Sequence, residues 1–292
     1  MSKFQNKNYG IITQLDFKSK RTRLLYYLFF ALSLAVVMVC IAPPLWMMLS
    51  SLKDIREFMS VPPTIIPRTF HPEKIAETWN RLGFGRFYIN SLISVCGAVI
   101  CALFFNGLIA YAISVLKPKG GKIVFYLVLW SMMVPYTVSL VPLFKNIVAL
   151  KLTNTFVPLW LSFGANAFYV LLYKSFFDAL PGSLIEAARL DGCSNLGMFF
   201  RIVAPLSKAV NMVIAIFAVN AAWSDFLLPL LVLKDKDLYT VMVKLFQTRE
   251  VGGLSVDYQM MAICFSIVPP VLLFILFQKY ITQGIALSGI KG

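Results

Sequence analysis

Five stretches of this chain run for more than twenty residues without a charged side chain: Leu24–Leu52, Phe87–Leu116, Ile123–Phe144, Leu152–Tyr173 and Tyr258–Gln278. A sixth, Ala209–Leu233, is interrupted only by Asp225. An α-helix needs about 20 mostly apolar residues to cross a bilayer, where every backbone N–H and C=O has to be satisfied inside the segment itself. The six windows therefore predict six transmembrane helices and an all-α, polytopic membrane fold. Composition agrees, since 59% of the 292 residues are hydrophobic and 14% charged, whereas soluble domains carry about 25% charged residues. A single globular core of this length could not hide so much apolar surface, so membrane lipid is its expected solvent.

An even number of spans puts both termini on one side, and the placement of Lys and Arg says which. The tail holds Lys3, Lys7, Lys18, Lys20, Arg21 and Arg23 against the lone acid Asp16, and the loop after the second window has Lys117, Lys119 and Lys122 with no acid. Both are expected in the cytosol, which makes residues 1–23 a cytosolic tail and residues 24–292 a six-helix domain. The segment Pro181–Leu206 then also faces the cytosol, while Lys53–Arg86, Lys145–Lys151 and Lys234–Asp257 lie outside. The polar tail and the length of the first apolar stretch suit a permanent span better than a cleaved signal peptide. The net charge of +14 is spread over the ends of apolar runs and forms no basic stripe with interleaved aromatics, so nucleic acid is not an expected partner.

Several kinds of chemistry are missing. Gly120–Gly121–Lys122 is followed by Ile123 and lacks the upstream glycine of a phosphate loop, so no ATP site of that type exists here. Gly83–Phe84–Gly85 has Tyr88 in the third glycine's place and reads as a turn. One histidine, His71, and five cysteines without a CxxC pair support neither a multi-His metal site nor a His-dependent catalytic triad. Asp235 and Asp237 alternate with Lys234 and Lys236 as on a wetted surface. No catalytic residue, cofactor or metal is expected in this chain.

Within the windows, Pro43, Pro44, Pro135, Pro142, Pro229, Pro269 and Pro270 predict kinks, and Ala98, Ala102, Gly107 and Ala110 predict close helix packing. Ionisable groups inside a bilayer are functional candidates by default, and Asp225 is the one present. A rise of about 1.5 Å per residue puts it near the outer interface, where it can cap a break before Pro229 or polarise a pathway. Asn106, Asn166, Asn220 and Ser224 either line such a pathway or bond neighbouring helices.

Pro181–Leu206 is written differently. Ser183 stands three residues before Glu186, the pattern of a capping box, which predicts a helix from Leu184. Gly192 then supplies a bend, and Ser194 can cap a second helix running toward Pro205. Leu184, Ile185, Ala188, Leu190, Leu196, Met198, Phe199, Phe200 and Val203 make either an apolar patch of the kind that marks a partner site or helices that lie flat on the membrane or fold under the bundle.

The spacing of Glu186–Ala187–Ala188, Gly192, Ile202 and Pro205 resembles the EAA---G---------I-LP loop of permease subunits of binding-protein-dependent ABC importers, with Ala204 where that pattern has Leu. Asn90–Val95, Ala110–Lys117, Met132–Phe144, Trp223–Leu231 and Phe277–Gly292 are similar to the carbohydrate-uptake, maltose-permease-like branch, which more often has Asn at the position of Ser224. The resemblance implies a type I ABC importer transmembrane domain in a prokaryotic cell membrane. Its implied partners are a second homologous permease subunit, two ATPase subunits that bind ATP and Mg, an extracellular solute-binding protein and a carbohydrate substrate. It further implies that Ser183, Leu184, Ile185, Glu186, Ala187, Ala188, Asp191, Gly192, Phe199, Ile202 and Pro205 couple the chain to the ATPase, with Leu184, Ile185, Ala188 and Phe199 filling the ATPase cleft. Asn106, Asn166, Asn220, Ser224 and Asp225 are the pathway candidates. A permease for another solute, such as glycerol phosphate, is the alternative within the family. A stand-alone channel or secondary carrier would need ionisable groups in mid-bilayer, and only the peripheral Asp225 is offered.

Overall fold

The computed structural model describes residues 19–250 and 254–289, with side chains described to residue 248 and from 254 to 278. Most of the N-terminal tail and the end of the Phe277–Gly292 motif lie outside the described residues. Every regular element among the described residues is helical.

The chain divides at His71 into two compact units. In the first, α1 (Lys20–Ser51) runs unbroken through Pro43 and Pro44. It is followed by α2 (Ile55–Phe58), where the Asp54 carboxylate accepts from the Arg56 N–H at 2.8 Å as the N-cap.

The second unit starts with α3 (Glu73–Leu82), which ends at Gly83 with φ +65°. That left-handed turn, natural for glycine, launches α4 (Phe84–Tyr111) and its continuation, the π-turn Ala112–Leu116. Next come α5 (Gly121–Ser131), α6 (Tyr136–Ala149), α7 (Val157–Ser162), a 3₁₀ turn Phe163–Ala165 and α8 (Ala167–Phe177). The segment Pro181–Leu206 forms α9 (Gly182–Leu190), α10 (Asn195–Met198), a π-turn Phe199–Val203 and α11 (Ala204–Leu206). The unit closes with α12 (Lys208–Ser224), α13 (Leu227–Val232), α14 (Val241–Glu250) and α15 (Val256–Gly289).

α4 is the central post. Ala98, Ala102 and Ala110 are fully buried, and their small side chains let α7, α8 and α12 pack directly on it, as their spacing predicted. At one end Trp79, Phe84, Tyr88, Phe265 and Trp223 form an aromatic cluster. The Trp223 indole N–H donates to the Ser266 carbonyl at 3.0 Å, and Lys74 pairs with the buried Asp257, tying α3 to α15.

The six windows all carry helix, but not as six straight rods. Among the described residues three helices are single, long and apolar enough to cross a membrane: Lys20–Ser51, Phe84–Leu116 and Val256–Gln278. The third window breaks between α5 and α6, which are bent by 108°. Pro135 lacks an N–H and drives the residue before it out of helical conformation, which ends α5. The fourth window splits into α7, the 3₁₀ turn and α8, and the Ala209–Leu233 window splits at Asp225. By contrast Pro43, Pro44, Pro142, Pro269 and Pro270 sit inside continuous helices.

Candidate functional site

The Pro181–Leu206 segment is a helix, a glycine bend and a helix. Its first helix starts earlier than Leu184. Pro181 is the N-cap, with φ −60° and ψ 123°, and its carbonyl accepts from the Leu184 N–H at 3.2 Å. Ser183 is therefore already helical and makes no capping bond, so the capping box with Glu186 does not form. Proline, with its φ fixed and no N–H to satisfy, takes the boundary position two residues upstream.

The bend is as the sequence reading had it. Gly192 has φ +74°. Its N–H donates to the Arg189 carbonyl at 3.1 Å and the Cys193 N–H to the Ala188 carbonyl at 3.0 Å, the paired bonds of a Schellman motif. Ser194 accepts from the Gly197 N–H at 3.1 Å and caps the second helix. That helix widens into the π-turn Phe199–Val203 just before Pro205, where the proline ring crowds the preceding carbonyls and supplies no N–H of its own.

This unit has an inner and an outer face. Phe199 and Val203 are buried in the chain's own core with Tyr111, Tyr173, Val210 and Ile214, and Ala188 and Met198 are buried as well. The expectation that Ala188 and Phe199 fill a partner's cleft is thus overturned: they seat the segment on its own bundle. Ile185 and Ile202 are half-buried. The outer face carries Leu184, Leu190 (89% exposed) and Leu196 (62%), beside exposed Ser183, Glu186, Ala187, Asp191 and Pro205, while Phe200, also exposed, stacks on Phe104 of α4 with centroids 6.3 Å apart.

Polar bonds fasten the second helix at both ends. The Tyr111 hydroxyl donates to the Asn195 carbonyl at 2.9 Å. At the other end the Tyr173 hydroxyl donates to Asn211 Oδ1 at 2.7 Å, and Asn211 Nδ2 donates to the Ala204 carbonyl at 3.1 Å. Sequence reading did not single out Tyr111, Tyr173 or Asn211. The signal was a hydroxyl or amide near the end of an apolar window, which gains meaning only once the neighbouring helix is known.

The in-span candidates separate into two groups. Asn106 is fully buried: its Nδ2 donates to the Ala102 and Phe163 carbonyls, both at 2.8 Å, and its Oδ1 accepts from the Asn166 N–H at 2.9 Å. Asn166 caps α8 through the Tyr169 N–H at 3.2 Å. Both residues stitch the break between α7 and α8, and Asn106 faces no open space. Asn220 and Ser224 instead lie exposed on α12. Next to them Asp225 Oδ1 accepts from the Leu227 N–H at 3.2 Å, capping the break ahead of Pro229.

The arrangement has known counterparts. The family described as binding-protein-dependent transport system inner membrane component matches residues 9–287. AraQ of Bacillus subtilis, an arabinooligosaccharides transport system permease protein, is 36% identical over 208 residues, covering 71% of this chain and 74% of that protein. NgcG of Streptomyces coelicolor, a diacetylchitobiose uptake system permease protein, is 29% identical over 252 residues, covering 85% and 83%. In the crystal structure of a bacterial ABC transporter involved in the import of the acidic polysaccharide alginate, one chain shares this fold with a TM-score of 0.81 at 19% identity, over 90% of this chain and 98% of that one.

Proposed function

The chain belongs to the binding-protein-dependent transport system inner membrane components, as an all-α, multi-pass permease subunit with a type I ABC importer fold, and on that premise we propose how it works. It forms half of the pathway of an ATP-driven sugar or oligosaccharide importer in a prokaryotic plasma membrane, with both termini in the cytosol. A second homologous permease supplies the other half. Two ATPase subunits bind and hydrolyse ATP with Mg, and a solute-binding protein delivers cargo from outside.

The observation that carries the reading is the two-faced segment Pro181–Leu206. Its inner face is locked into the bundle, so a push on the segment moves the spans. Its outer face exposes Leu184, Leu190 and Leu196, where burying each against a partner is worth about 2 kcal/mol. Glu186, Ala187, Asp191 and Gly192 surround these side chains and complete the ATPase-facing surface, while Ile185, Ala188, Phe199 and Ile202 support it from beneath. Closure of the ATPase around this surface then drives the switch between inward-open and outward-open states. For the cargo, sugars suit both the names of the similar permeases and the exposed amide and hydroxyl of Asn220 and Ser224, which with Asp225 form this chain's share of the pathway wall.

Gly192→Trp tests the docking. A Cβ at Gly192 meets no atom within 4 Å, so inside the subunit the change costs only the left-handed backbone, about 1–2 kcal/mol. The spans should insert normally while ATPase subunits no longer co-purify and uptake is lost. Retained co-purification and uptake in Gly192→Trp would falsify the docking assignment.

A further inference from the structure

Two π-turns, rare and often found at functional positions, flank one contact. The first, Ala112–Leu116, begins immediately after Tyr111 at the cytosolic end of α4; the second, Phe199–Val203, begins at Phe199 in the cytosolic segment. Tyr111 and Phe199 pack ring to ring with centroids 5.3 Å apart, and both are almost wholly buried. Above them Gly107 leaves the space that the Phe199 ring occupies: a Cβ at Gly107 would lie 3.4 Å from Phe199 Cζ. The Tyr111 hydroxyl reaches past the ring to the Asn195 carbonyl, which also accepts the Phe199 N–H. One tyrosine of α4 thus holds the first turn of the second cytosolic helix by a bond and its next turn by ring contact.

We propose that Tyr111 is a positioning residue for energy coupling: it locks the Pro181–Leu206 segment to α4, so that the segment and α4 move as one body when the ATPase closes. The geometry favours this. A wide π-turn adjoins the contact on each helix, and the contact itself combines a buried ring pair with one hydrogen bond. Rings alone could slide over one another, but a hydroxyl on a backbone carbonyl fixes the register. Phe at position 111 would keep the packing and lose the register. This inference rests on the coupling reading above.

The test uses the assembled complex, with the five native cysteines replaced and spin labels at Arg201→Cys in the segment and Ile100→Cys on α4, both exposed positions. Distances are read by pulsed electron resonance without nucleotide and after trapping with ATP, Mg and vanadate. Wild-type Tyr111 should give one distance, unchanged by trapping. In Tyr111→Phe the trapped distribution should roughly double in width as the lost hydrogen bond frees the register. Phe199→Leu, which withdraws the ring from Gly107, should loosen the same distance by an independent route. A wild-type distance that shifts on trapping, or a Tyr111→Phe distribution identical to wild type in both states, overturns the proposal. Failure of vanadate and ATP to trap any complex with the ATPase subunits would instead strike at the coupling reading itself.

Discussion

Of the three helix breaks in the apolar windows, the chain repairs two in opposite ways. Between α7 and α8 the freed backbone groups are met from another helix: Asn106 on α4 uses both its amide nitrogen and its oxygen on Ala102, Phe163 and Asn166. Between α12 and α13 the repair is local, because Asp225 caps Leu227 two residues on, and Asn220 and Ser224 beside it stay exposed. Helix ends in an apolar setting always need such partners. The difference is what remains afterwards: at the first break the buried Asn106 is spent wholly on backbone, and at the second an exposed amide and hydroxyl stand beside the carboxylate.

The largest test of this contrast is Asn106→Leu. It leaves the Phe163 carbonyl and the Asn166 N–H without their partner in a dry site, at about 1–3 kcal/mol each. The purified subunit should lose roughly 3 kcal/mol of stability, seen as a large drop in melting temperature in detergent. A melting temperature equal to wild type would show that Asn106 does not seal the break. Gly164→Ala probes the same place more gently. Its Cβ would approach Phe105 Cδ2 to 2.9 Å, closer than packed carbons tolerate, and relief by ring movement should cost about 1–2 kcal/mol. The same melting measurement reads it, and a gain in stability would mean the pocket around the 3₁₀ turn is looser than its geometry implies.

These breaks also show why some of the molecule is readable from sequence and some is not. The Gly192 bend and the Ser194 cap were legible because each depends on residues within five positions of itself. The capping box at Ser183 and Glu186 failed on an equally local matter: Pro181 offers a competing boundary two residues earlier, and the motif does not say which start wins. Asn106 and Asn220 were indistinguishable in sequence, each a lone amide in an apolar window. Only the rotation of the helix separates them, and rotation is set by which faces pack, as Ala98 and Ala102 do on α4. For the same reason Ala188 and Phe199 looked like docking side chains although both are buried, Phe199 in the core of Tyr111 and Tyr173.

At the second break the effects should be smaller on stability and larger on transport. Asp225→Ala removes the acceptor for the Leu227 N–H and should cost about 1 kcal/mol, the usual worth of a helix cap. Asp225→Asn keeps an acceptor oxygen in place and should recover most of that loss. If both substitutions melt alike, the cap is not what Asp225 contributes to the fold.

The smallest expected change in stability belongs to Asn220→Ala and Ser224→Ala. Both side chains are exposed on α12, and no hydrogen bond to either is among those that hold α12 to its neighbours. Truncating them should leave the melting temperature within the ~0.5 kcal/mol typical of surface changes. Transport gives the opposite forecast. If these groups exchange hydrogen bonds with sugar hydroxyls along the wall, each truncation removes a bond worth about 1 kcal/mol, which slows uptake of the co-purifying binding protein's sugar by roughly fivefold. Nucleotide hydrolysis by the assembled complex in the absence of cargo should be untouched, since on the proposed coupling it runs through Pro181–Leu206, at the other end of α12. The pairing of unchanged stability with slowed uptake separates a wall residue from a packing residue. Unslowed uptake in the double variant would place the pathway elsewhere and leave the second break, like the first, as a structural repair.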